Sequence, residues 1–477
     1  MTKAARLWLL IPALLAVAWF WPVLSHGFRS DDFLTVYYYD RDAGAVHWGR
    51  VLEEWVRPWF GVRDLYRPLV SFTFGVNWAA STAPSGFHLL NLLLFAGTVA
   101  FVALAAARLV PQRPLLAGFA AGLVVVLHPA AVEPTAWVAA RTTGLQVFFS
   151  TLAYWTFLRW RDGDGRAIVP LLAVGLACAS KEGAVLLPFS LLALDLVRGA
   201  DRPRWRTHLP FFALVAGYLL WRRALLGVFT TAGASQTLTE RAANAATLLQ
   251  QLVAPPLAPA AWTLTALAVL AAVALANRRR AFWCLPWLAG LLLPGTTHVV
   301  LHDGELAGRF VFDAVPALAL LVAIAFARAE RWRTVIAVLA GLVALGALAV
   351  GGRAWLQRYD GDDDTVASAQ RALLTAAADA APGRPFGVTG LPDLPVLQPP
   401  LWGFLTQRPF ADRDLPVVGL ANVLTRNEVA PAVYGNAVAL HALVTDGAGV
   451  GLWDLASRTV RPAARATSDV VELLRDA

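Results

Sequence analysis

Cysteine and methionine are nearly missing from this chain: two and one among 477 residues. Both cysteines, Cys178 and Cys284, fall inside apolar runs and read as small packing residues, which excludes a disulfide framework and a cysteine metal site. Charge is scarce as well. Asp, Glu, Lys and Arg make up 15% of the residues and hydrophobic types 58%, whereas a soluble domain carries ~25% charge. An ordinary soluble fold is excluded. Also missing are an internal repeat of about twenty to fifty residues and a small-x-small cleavage site after the first apolar segment, so Leu7–Ser25 is expected to be a span and not a cleaved signal. The acidic run "DGDDD" at Asp360 lacks the glycine and glutamate pattern of a calcium loop and reads as a solvated helix start.

What the chain has instead is apolar length. Runs recur from Leu7 to Gly351, which defines a polytopic helical membrane protein. The net charge of +8 does not mark a nucleic-acid binder. Its basic residues gather at the ends of apolar runs, as at Arg108 and Arg113, Arg159 and Arg161, and Arg278 to Arg280. That is the positive-inside bias. Nineteen tryptophans suit the aromatic belts of the two membrane interfaces.

With the N-terminus in the cytoplasm, the runs give about eleven crossings. An outer loop, 26–81, contains Trp48, Val51, Leu52, Trp55, Val56 and Trp59 at helical spacing, which predicts an amphipathic helix in the interface. Ala167–Ser180 and Ala184–Val197 form a hairpin with "KEG" at its tip, and a helix is expected over Thr365–Ala378. The expected organisation is an all-α membrane unit, 1–352, followed by a small extracytoplasmic α/β domain, 353–477, whose strand-like pieces are "PFGVTGL", "PVVGL" and "GVGLWDL".

Several chemistry-bearing residues then project to the outer face. They are Asp31 and Asp32 after the first span, Tyr66 and Arg67, His128, Glu133 and Arg141, Lys181 and Glu182, Arg222, and His302, Glu305 and Arg309. Charges at membrane depth are costly, so several at one face imply a shared polar cavity. Each has a bland reading too. An Asp-Asp pair can be a solvated turn, His128-Pro129 a helix end, Lys181-Glu182 a self-satisfied pair, and Arg222 a snorkelling side chain. The histidines and acids near His302 are ligand types without a metal spacing.

The order of motifs is more telling. "SDDF", "YRPLVSFTF", "FHLLNLLLF", "HPAAVEPTAWVAAR", "SKEGAVLLP" and "GRFVFDAVP" resemble the C-type (GT-C) membrane glycosyltransferases, in particular bacterial relatives of the transmembrane O-mannosyltransferases. The resemblance covers about Leu7 to Gly351. It implies transfer of a sugar, with inversion, from a polyprenyl-phosphate carrier to a hydroxyl or amine of a glycan, lipid or protein on the outer, extracytoplasmic side. It implies Asp31 or Asp32 as the base, with Glu133 sharing that role or orienting the acceptor. Arg141, Lys181, Arg309 and Arg222 would hold the carrier phosphate, and Tyr66, Arg67, His128, Glu182, His302 and Glu305 would line the acceptor side and its loop. Some enzymes of the class organise the acceptor with a divalent cation, magnesium or manganese, for which Asp32 and Glu133 would be the ligands. The chain departs from the pattern at Ala131, where relatives often carry histidine, and at Thr142-Thr143, where a charged pair is common. Residues 353–477 do not read as the tetratricopeptide repeats that follow the membrane unit in many relatives. The competing readings are an O-antigen ligase or polymerase, which would not need Asp31-Asp32, and a lipid-glycan flippase, which would favour paired repeats.

Overall fold

The computed structural model describes residues 7–29, 31–32, 35, 46–59, 65–199, 205–229, 237–254, 286–292, 308–326 and 331–379, and strands at 386–389, 417–419, 449–454 and 459–462. The expected span Trp262–Ala276, most of Phe282–Thr297, and the candidates His302 and Glu305 lie outside these residues.

The helices, in chain order, are α1 (Ile11–Phe20), α2 (Trp48–Glu53), α3 (Pro68–Ala80), α4 (Pro84–Leu109), α5 (Pro114–Leu127), α6 (Val132–Ala136), α7 (Arg141–Arg161), α8 (Ile168–Cys178), α9 (Leu187–Arg198), α10 (Trp205–Leu226), α11 (Leu238–Val253), α12 (Gly308–Val311), α13 (Val315–Phe326) and α14 (Arg331–Asp379). Proline stands in the first turn of α3, α4, α5 and α9. There its missing N–H costs nothing and its fixed φ favours the helix. Gly199, at φ 105°, ends α9 in the left-handed conformation, and Thr237 with Glu240 forms a capping box at the start of α11.

Packing centres on α4, α5 and α7, with α1 and α13 against them. The spacing Gly118-x-x-x-Gly122 allows the close approach. A Cβ at Gly118 would meet Leu9 and stand 2.9 Å from the Ala103 carbonyl, and one at Gly122 would stand 2.5 Å from Pro12.

Among the described residues, α4 and α10 are long and apolar enough to cross a membrane; α5 with the bent segment Pro129–Ala136 makes a third if the two count as one span. The eleven expected crossings are therefore not all standard spans. Helices such as α8, with 11 residues, are shorter than the ~20 residues that a straight crossing needs.

Two further expectations change. The helix expected from Trp48 to Trp59 covers only Trp48–Glu53 (α2), and the next residue, Glu54, is buried and accepts a short hydrogen bond from Ser71. The boundary expected at 352/353 falls inside α14, a single helix of 49 residues that also absorbs the separate helix expected at Thr365–Ala378. Neither Gly351-Gly352 nor the acidic run breaks it, because no proline intervenes.

The described chain divides into two units, one of residues 1–25 with 48–357 and the other of 26–47 with 358–477. The second contains a four-stranded sheet: β1 (Phe386–Thr389), β2 (Val417–Gly419), β3 (Gly449–Asp454) and β4 (Thr459–Pro462), in the order β2-β1-β3-β4. β1 runs parallel to β2 and β3, while β3 and β4 are antiparallel with Asp454 opposite Thr459. β1, β2 and β3 lie within the three segments read as strand-like; β4 was not anticipated.

Candidate active site

The site in the first unit starts from a proline. Pro129 stops α5 at Leu127, and the chain bends by 66° into Pro129–Ala136. His128 holds the bend. Its Nδ1 accepts from the Ala130 N–H at 3.1 Å, so the ring proton sits on Nε2, which donates to the Leu252 carbonyl at 3.1 Å. His128 is buried and is a strut of the loop, not a group that faces an acceptor.

The bend delivers Glu133 to Arg309. The Glu133 carboxylate accepts the Arg309 backbone N–H at 2.7 Å and lies 3.6 Å from the guanidinium. Contact this close requires Gly308, where an added Cβ would stand 2.9 Å from Glu133 Oε2 and 3.0 Å from its Cβ. The guanidinium lies over the rings of Trp137 (4.9 Å) and Phe310 (5.1 Å), and its side chain stays 40% exposed. This is a charge-assisted, aromatic-backed cation with an open side.

Lys181 grips the carbonyl side of the same residue. Its ammonium donates to Thr143 Oγ1 at 2.8 Å and to the Arg309 carbonyl at 3.2 Å, and lies 3.7 Å from Asp313. Thr143 also donates to the Arg309 carbonyl, at 3.2 Å. Burial lowers the Lys181 pKa, and the nearby carboxylates of Asp313 and Glu182 offset this only in part. Glu182, the next residue, turns to Arg67 with contacts of 2.9 and 3.3 Å. Burial alone would raise its carboxyl, but the Arg67 charge and hydrogen bonds outweigh that and hold it at about 2. Arg67 in turn lies over Trp59 at 5.0 Å. Tyr66 donates to the Trp55 carbonyl and accepts from Trp221 on α10; burial raises its phenol above the usual range. Arg222, beside Trp221, is fully buried in α10.

Arg141, expected at the carrier phosphate, is enclosed instead. Its guanidinium donates to Asn91 (2.8 Å), Asn77 (2.8 Å) and the carbonyls of Phe87 (2.9 Å) and Thr73 (3.5 Å), and it lies over Phe74 at 4.3 Å. It pins the start of α7 to α3 and α4. Asp31 and Asp32 belong to the second unit. Asp32 is buried, and its carboxylate accepts the Arg29 N–H at 3.1 Å while its own N–H donates to the Arg29 carbonyl at 2.9 Å.

The residues that the sequence reading missed are Asn77, Asn91, Trp137, Thr143, Gly308 and Asp313. A polar residue inside an apolar helix announces a partner, so Asn77 and Asn91 were findable as unmatched groups in α3 and α4. Both Glu133 oxygens face Arg309, and among the described residues no three His, Cys, Asp or Glu gather.

A bend held by His128, a carboxylate and an arginine clamped behind it, and a lysine–glutamate turn between short helices are set here in a fold that a solved structure shares. The solved structure of ArnT from Cupriavidus metallidurans bound to undecaprenyl phosphate matches with a TM-score of 0.54 at 14% identity, covering 95% of this chain and 93% of that one. The apo form of the same protein gives 0.52, over 94% and 93%. In sequence, the chain is similar to the Drosophila melanogaster protein O-mannosyl-transferases Tmtc2, 30% identical over 212 residues, and Tmtc1, 30% identical over 129. These matches cover 41% and 26% of this chain, which spans only 22% and 15% of those proteins' length. No family model matches the sequence.

Proposed function

We propose that this membrane protein is a glycosyltransferase that moves a sugar, with inversion, from a polyprenyl-phosphate donor to a hydroxyl or amine of a glycan, lipid or protein at the extracytoplasmic face. The observation that carries this reading is Arg309, whose main chain is held by Glu133, Thr143 and Lys181 while its guanidinium, 3.6 Å from the Glu133 carboxylate, stays 40% exposed. The undecaprenyl phosphate bound by ArnT supports the class of carrier, and the likeness to O-mannosyl-transferases supports mannose as the first sugar to try.

In the reaction, the acceptor oxygen or nitrogen attacks the anomeric carbon as the bond from that carbon to the phosphate oxygen breaks, and the bonding electrons leave with the phosphate. Positive charge grows on the sugar and negative charge on the departing group. Arg309 binds that phosphate more tightly as its charge develops, which is where a preorganised cation lowers the barrier. The acceptor proton passes to Asp31 or Asp32, assigned to this role by their place in the motif order. Glu133 and Lys181 act behind Arg309, and Arg67 with Glu182 holds the loop.

The test is the full chain reconstituted in liposomes with undecaprenyl-phosphate-linked mannose, with release of undecaprenyl phosphate followed in time. Asp32→Asn should abolish release and leave folding intact. Full turnover in both Asp31→Asn and Asp32→Asn would remove the base assignment. Movement of the intact donor across the bilayer without release would make the protein a flippase.

A further inference from the structure

The turn carrying Asp31 and Asp32 is tied to α14 by side chains that the transfer reaction does not itself need. Within the second unit, His26 and Arg29 are both buried. The Arg29 guanidinium lies over the Tyr359 ring at 4.5 Å, and its Nη2 donates to the Tyr359 carbonyl at 3.3 Å. The same Nη2 lies 3.3 Å from His26 Nδ1. A guanidinium can only donate, so His26 Nδ1 accepts and its proton sits on Nε2. That Nε2 then donates to Asp360 Oδ1 at 2.7 Å. Arg29 is thus fixed to α14 by its side chain, and its main chain closes the turn on Asp32 in both directions, from N–H to carboxylate and from carbonyl to the Asp32 N–H.

We infer that Asp360 is a positioning residue: acting through His26 and Arg29, it holds the Asp31–Asp32 turn in the geometry that accepts a proton. This rests on the reading of Asp31 or Asp32 as the base. The acidic run at Asp360 is then more than a solvated helix face. Asp360 meets a buried imidazole, whereas Asp364, one turn further on, is exposed. Losing a tie of a short segment raises the population of its open conformers. Because α14 leads into the segment of the chain that carries the sheet, a partner bound to that unit would reach the reacting carboxylates through this tie.

Hydrogen–deuterium exchange on the purified full chain tests the tie without needing a substrate. In D360A, the segment 26–35 should exchange about tenfold faster than in the wild type. In D360N, which keeps an acceptor for the imidazole, it should stay near the wild-type rate, and D364A should leave it unchanged. Wild-type exchange in D360A overturns the inference. If D360A loosens the membrane helices as well, His26→Ala replaces it, with the same expectation for 26–35 and the same overturning result.

Turnover on undecaprenyl-phosphate-linked mannose tests the consequence. D360A should lower kcat about tenfold at an unchanged donor KM, with recovery in D360N. Unchanged kcat in a variant whose turn has loosened, or a change in KM alone, overturns the positioning role. If the wild type does not turn over this donor, the proposed function has failed in that form, and the exchange pattern decides alone whether the tie exists.

Discussion

The two ends of α7 use the same residue types to opposite purpose. At its last turn, Arg108, Arg161 and Arg198 pair with Asp162, Asp164 and Asp195 in a partly exposed lattice, with Arg108 at 2.7 Å from each of the first two carboxylates. Around its first turns, about 30 Å away, Arg141 is enclosed by amides and rings, while Lys181, Asp313, Glu133 and Arg309 form a clamp with one open side. Pairs within reach of water, such as Arg108–Asp164 and Arg198–Asp162, tie helix ends together at little gain, whereas Arg161 meets the buried Asp195. Buried pairs cost desolvation, and they persist here around one cation that is left partly accessible. Arg–carboxylate chemistry is therefore uninformative by itself; what else each charge faces distinguishes a site from a staple.

Breaking the buried clamp should have the largest effect. Lys181→Met leaves the Asp313 carboxylate buried and uncompensated, for a loss of about 3–5 kcal/mol, which Asp313→Asn in the same chain should partly restore. Thermal unfolding in detergent reads both. Unchanged stability in Lys181→Met would return Lys181 to the role of a phosphate ligand. Next, Arg309→Ala should lower kcat/KM on the polyprenyl-phosphate donor by about 10²–10³, the scale of losing one oriented transition-state contact; turnover within a factor of two would remove Arg309 from the site. Gly308→Ala drives a Cβ into Glu133 and toward the Ala130 carbonyl and should cost about 1–3 kcal/mol, read by thermal unfolding, with weakened donor binding.

A smaller effect comes from pH. The Glu182 carboxyl is held at about 2, against an ordinary value of 4.5. The unfolded chain therefore takes up this proton first. The stabilisation is complete above about pH 4.5 and is lost as pH falls toward about 2. Unfolding midpoints across that window should drop less in Glu182→Gln than in the wild type. At the other end of α7, Arg108→Ala should cost under about 1 kcal/mol, shrink further in high salt, and leave turnover unchanged. A loss as large as that of Lys181→Met would erase the distinction between the two ends.

Much of this was legible in advance. The motif order sent Asp31, Asp32, Tyr66, Arg67, His128, Glu133, Arg141, Lys181, Glu182, Arg222, His302, Glu305 and Arg309 to one polar face, and of these Glu133 with Arg309, Lys181 with Arg309, and Arg67 with Glu182 are in contact. What failed to read was what each group faces. Arg141 had the motif position of a phosphate ligand, but Asn77 and Asn91, on two other helices, take its donors. The acidic run at Asp360 read as a helix start, yet a 49-residue helix runs through it, since the energy of a continuing helix depends on neighbours that the local composition does not contain.

By itself, the sequence determined the membrane class, the helical character of most of the chain and the residue types at the proposed site, because hydropathy, proline placement and charge at helix ends act locally along the chain. Tertiary structure alone decided which cation is open and which is enclosed, that Gly308 must lack a side chain, and that the Asp31–Asp32 turn is tied to α14. Those are distances between residues tens to hundreds of positions apart. They are set by packing and desolvation, and one-dimensional spacing carries neither.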